Sequence, residues 1–80
     1  MSICVMALEA LRAKYQSEID TSLTNIKVYE KAPVGIGEHP DIVDAIDSQV
    51  KRYSEAKEML DAVNDVIDSL KSFEGIAQID

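Results

Sequence analysis

The sequence has no tryptophan, one cysteine, one histidine, two prolines and three glycines in 80 residues. A single cysteine excludes an internal disulfide framework. With a single histidine beside it, the chain also has too few ligands for a conventional structural zinc site. Long hydrophobic runs are missing as well: no window approaches the ~18 uninterrupted apolar residues of a membrane-spanning helix. The opening Met1-Ser2-Ile3-Cys4-Val5-Met6 carries no basic residue and too short an apolar run to read as a signal peptide. Positive charge is scarce. Eight Lys and Arg stand against 15 Asp and Glu, a net charge of −7, which argues against direct binding of a nucleic-acid backbone.

What is present is 46% hydrophobic and 29% charged. That is too apolar for a disordered chain and too charged for a membrane segment. The length allows one domain at most. A compact globule of this mass would bury roughly 63% of its unfolded surface, which is marginal. An elongated shape would bury less and would want a partner.

The breakers are gathered in one place. Ala32-Pro33-Val34-Gly35-Ile36-Gly37-Glu38-His39-Pro40 holds both prolines and two of the three glycines. Periodic segments lie on either side of it, so the pattern predicts a hairpin of two elements. Upstream, Leu8, Leu11, Tyr15, Ile19, Leu23 and Ile26 recur at helical spacing. Thr21, Ser22 and Thr24 weaken the middle of this segment, while Lys27 and Lys31 suit its C-terminal end. Ala32, before a proline, is pushed out of the helical region. Downstream, Pro40 suits a first helical position, and Asp41 and Asp44 put negative charge in the first turns. Ile46, Tyr53, Leu60 and Ile67 then read as heptad a positions, and Ile42, Gln49, Ala56, Val63 and Leu70 as d positions. Gly75 reads as a stop.

The expected fold is all-α: an antiparallel two-helix hairpin, with helices over about 2–31 and 40–73, a turn at 32–39 and a short tail at 74–80. Folding the chain at its loop places residue i beside about residue 71 − i. Val43 and Val50 add e positions, and Met59 and Val66 add g positions. That apolar face is wider than one neighbouring helix covers, so two hairpins are expected to form a homodimeric four-helix bundle, or one hairpin to dock on another protein. The expected interface residues are Val43, Val50, Met59, Leu60, Val63, Val66 and Ile67.

Chemistry-bearing residues are few. Gly35, Gly37, Glu38, His39 and Asp41 join a glycine-containing turn to a helix start, where backbone N–H groups can face an anion. The nearby carboxylates favour a cation instead, with His39 and Asp41 as the metal-binding pair. The plainer reading is a turn whose glycines supply special backbone angles. No strand precedes the loop and no Gly-Lys-Ser/Thr follows, so it is not a nucleotide fingerprint. Cys4, in apolar surroundings, reads as a small core residue, and Tyr15, Tyr29 and Tyr53 read as packing residues. Asp44, Asp47, Glu55, Glu58, Asp61, Asp65 and Asp68 form an acidic ridge, either solvated or an acidic mimic of nucleic acid that blocks a DNA-binding protein.

The stretch Pro33-Val34-Gly35-Ile36-Gly37-Glu38-His39-Pro40-Asp41-Ile42-Val43 lies between Lys14-Tyr15-x-x-Glu18-Ile19 and an acidic helix. It resembles small proteins of marine tailed bacteriophages over most of residues 8–70. The Gly-Ile-Gly-Glu-His-Pro-Asp core is its specific part. The resemblance implies no catalytic residue. It implies action in the cytoplasm of an infected bacterium or a place in a virion, with Met1 or Met6 as the start. The expectation is therefore a non-enzymatic helical interaction or assembly module, without a cofactor. Its partner would be another copy or another protein, not nucleic acid or a membrane.

Overall fold

Two long helices and no strand make up the described part of the molecule. The structure, a computed structural model, describes the backbone of residues 2–31 and 41–79 and the side chains of 2–31 and 41–72. Helix α1 spans Ile3–Lys31 and α2 spans Ile42–Ile79. The turn expected at 32–39 lies outside the described residues, as does Pro40.

Local chemistry sets the helix starts. The Ser2 Oγ accepts a hydrogen bond from the Val5 N–H at 3.1 Å, and the Ser2 carbonyl takes the Met6 N–H at 3.0 Å. Ser2 is thus the N-cap of α1, satisfying a donor that the first turn would leave unpaired. Asp41 stands just before α2, its carbonyl accepting the Ala45 N–H at 3.0 Å. The helix therefore begins at Ile42, two residues after the expected start. The hydroxyls in the middle of α1 do not break it. Ser22 and Thr24 donate to the carbonyls of Ile19 and Asp20 at 2.9 and 2.7 Å, within their own helix. At the far end, α2 runs through Gly75 to Ile79, which corrects the expected end near 73 and the separate tail. A helical glycine costs about 1 kcal/mol relative to alanine, and that alone does not force a stop.

The helices pack on each other along their length. Ile42, Ile46, Gln49, Tyr53, Ala56, Leu60, Val63, Ile67 and Leu70 all turn inward, buried or half-buried. The seam of α1 departs from the hydrophobic stripe. It consists of Val5, Leu8, Arg12, Tyr15, Ile19, Ser22, Ile26 and Tyr29, alternating by three and four, while Leu11 and Leu23 are exposed. Arg12 and Ser22 occupy positions that hydrophobicity alone assigns to their neighbours. Cys4, expected in the core, is exposed beside Val5. Three hydrogen-bonded pairs, 12 with 64, 25 with 49 and 18 with 52, set residue i beside about residue 73 − i.

The core is thin and lies toward the open end of the hairpin, away from the 32–40 connection. Among the described residues, Val5, Ala56, Val63 and Ile67 are the buried hydrophobic side chains, and Ser22 is the buried polar one. Burying a valine or isoleucine side chain stabilises by about 1.5–3 kcal/mol, so few such terms are available. The molecule is correspondingly long, 65 × 16 × 16 Å, with a radius of gyration of 18.2 Å; a compact domain of this length would have about 12 Å.

Candidate functional site

Of the loop residues read as a ligand site, Gly35, Gly37, Glu38 and His39 lie outside the described residues. Asp41 is described. It is exposed, and its carbonyl starts α2. Among the described residues no group of three His, Cys, Asp or Glu converges as a metal site. No helix there is long and apolar enough to cross a membrane.

The residues read as an interface divide. Val63 and Ile67 are buried and Leu60 is half-buried in the α1–α2 seam. They belong to the hairpin's own core, and the surface open to a partner is corrected by their removal. Val43, Val50, Met59 and Val66 are exposed, at 73%, 48%, 43% and 46%.

Those four fall on two different sides of the hairpin. On one side, Arg52 Nε donates to Glu18 Oε2 across the seam. A step of seven residues is two turns and keeps the side of a supercoiled seam. Seven residues toward the open end the same positions are Leu11 and Met59, and seven further they are Cys4 and Val66. All four are exposed. A groove of about 260 Å³ runs beside this row, lined by Lys14, Tyr15, Glu18, Arg52, Glu55, Ala56 and Met59. On the other side, Arg12 Nε donates to Asn64 Oδ1 at 2.8 Å while its Nη1 pairs with Glu9 at 2.9 Å. Steps of seven toward the loop from Asn64 reach Lys57, Val50 and Val43, with Leu23 of α1 beside Val50 in the register. The sequence pattern shows Met59 and Val66 but not Leu11 as their companion, because Leu11 falls within the apolar stripe that reads as core.

Electrostatics separates the two sides. The Arg52 guanidinium holds the Glu18 carboxyl below its ordinary range, chiefly by its hydrogen bond. Partial desolvation opposes this, and the charges of Arg52 and Lys14 add to it. Arg52 is raised in turn, first by the same hydrogen bond. Both side chains are more than a third exposed, so solvent screens the pair. The groove side thus carries Lys14 and Arg52 against Glu18 and Glu55, with no excess of either sign. Asp44, Asp47, Glu58, Asp61, Asp65 and Asp68 are exposed along the back and opposite flank of α2. Among them Asp47 pairs with Lys51 at 3.2 Å.

The arrangement offers apolar side chains, a shallow groove and one cross-seam ion pair. Compared with known proteins, the chain matches no family model, no curated protein and no solved structure.

Proposed function

We propose that the chain is a non-enzymatic helical interaction or assembly module, whose hairpin completes its core against another helical surface in a four-helix bundle. The observation that carries this reading is the exposure of Val43, Val50, Met59 and Val66 flanking a seam that buries only a few side chains. Large apolar side chains grouped in rows along helix flanks, not scattered singly, mark association surfaces. The resemblance of the Gly35–Asp41 region to phage proteins fits such a role, in a host cytoplasm or a virion. Association links stability to concentration, because whatever binds only the folded hairpin stabilises it by mass action. Thermal unfolding followed by circular dichroism should therefore shift upward over a hundredfold rise in protein concentration, or on adding a partner retained by the immobilised chain. An unfolding midpoint independent of concentration, with no partner that raises it, would overturn the reading.

A further inference from the structure

We propose that the partner is a second copy of this chain, docked on the face that carries Cys4, Leu11, Met59 and Val66, open-end half against open-end half. This rests on the interaction-module reading and selects one of the two flanks.

Area is the first argument. The chain exposes 6052 Å². Surface scaling at 8.8 kDa gives about 4,800 Å² for a compact monomer. The surplus exceeds the roughly 800 Å² per partner that a standard stable interface buries. A single hairpin of this shape has the surface of an incomplete globule.

Charge chooses the flank. Each copy carries −7, so two copies meet only where the acids point away or are offset. Asp47 stands one turn from Val43 and Val50, and Asp61 and Asp68 continue the same flank of α2 toward the open end, so pairing copies along that flank brings like charges together. The row of Cys4, Leu11, Met59 and Val66 has Glu55 one turn from Met59, and there Lys14 and Arg52 offset Glu55 and Glu18. Ala7 and Ala62, both exposed, widen it.

Symmetry supplies the fit. A two-fold contact is isologous, so a patch must complement itself. This row is confined to the open-end half, and a two-fold axis through it lays apolar side chains on their own copies. Lys14 and Glu55, on opposite helices, line the same groove and give the rim of this face one charge of each sign. A row that ends at the Glu18–Arg52 pair leaves that pair at the wet margin, where the interface turns polar.

The full chain is tested by sedimentation velocity from low to high micromolar concentration at physiological salt. Wild type should dimerise reversibly. Met59→Glu with Val66→Glu should weaken the dimer by at least about 100-fold, because the symmetric interface desolvates each new charge twice. Val43→Glu with Val50→Glu should change it by less than about threefold, as exposed charges do. All four side chains are exposed in the single hairpin, and circular dichroism should show both doubles helical. A second readout does not depend on loss. The Met59→Glu, Val66→Glu chain and a Met59→Lys, Val66→Lys chain, each weak alone, should associate when mixed. Dimer loss only in the Val43, Val50 variant, or no recovery on mixing, overturns this face while the interaction reading stands. A wild type monomeric throughout overturns the second copy. A retained partner protein that raises the unfolding midpoint would then carry the interaction reading alone.

Discussion

The open-end half and the loop-end half of the hairpin are held together differently. From Val5 to Tyr15, facing Ala56 to Leu70, the seam contains all four buried hydrophobic side chains. From Ile19 to Tyr29, facing Ile42 to Tyr53, the only wholly buried side chain is Ser22, and the helices are joined by the Asn25–Gln49 hydrogen bond at 3.1 Å. Both halves carry a cross-seam hydrogen bond, but one half adds fully buried apolar side chains and the other only half-buried ones around a small residue. The anchor of the fold therefore lies near its chain ends, and the connection closes the weaker half.

The largest effects should come from attacking the anchor. Ile67→Ala should cost about 2–5 kcal/mol, the range for truncating a fully buried isoleucine. Ile46→Ala, half-buried in the other half, should cost clearly less. Urea unfolding at one fixed protein concentration compares the two, and equal losses would erase the distinction between the halves. Ser22→Leu is next. It puts three carbons where one buried oxygen stood and should cost about 1–3 kcal/mol by overpacking, whereas Ser22→Ala should be nearly neutral because the hydroxyl only returns to the Ile19 carbonyl. A stabilising Ser22→Leu would mean that this half holds unfilled space.

Asn25→Ala should cost about 0.5–1.5 kcal/mol, the net worth of one part-buried hydrogen bond. Amide hydrogen exchange sharpens the same contrast: amides around Val63 and Ile67 should be the slowest, those around Ile46 faster, and Asn25→Ala should widen the gap. The smallest effect belongs to Glu18, where the halves meet. Its folded pKa is lowered, so its contribution is complete above the unfolded value of about 4.3. That contribution is lost as pH falls through the lower folded value. Thermal melts of wild type and Glu18→Gln should differ slightly at neutral pH and converge in strong acid. A gap that persists there would assign the difference to something other than the charge.

The same contrast explains what could be read from the chain. The seam of α2 is legible in full because apolar residues fill nearly every a and d position from Ile42 to Leu70, and Gln49 alone interrupts them. In α1 the true seam includes Arg12 and Ser22, and each has a leucine directly beside it. Reading by hydrophobicity shifts to Leu11 and Leu23. The signal that recovers the seam is spacing: Val5, Leu8, Tyr15, Ile19, Ile26 and Tyr29 keep the three–four alternation only if 12 and 22 are admitted as polar members. Arg12 is tolerated there because its head reaches Asn64 and Glu9, and Ser22 because it satisfies itself. The flank bearing Met59 and Val66 is visible as a pair of g positions. Its continuation onto α1 is not, since the hydrophobic stripe takes Leu11 inward.

The three hydrogen bonds that cross the seam among the described residues also act against the structures the chain does not form. A heptad repeat lets two helices slide by seven residues and keep apolar faces in register, so a hairpin always has near-degenerate competitors. Here each slide is penalised. Moving α2 by seven in one direction replaces Asn64 opposite Arg12 with Lys57, and in the other direction with Lys71, a like charge either way. The same slides set Glu18 against Ala45 or Met59 in place of Arg52, and Asn25 against Ile42 or Ala56 in place of Gln49. Residues that add little to the depth of the native energy well thus raise its neighbours and favour the observed alignment over its shifted competitors.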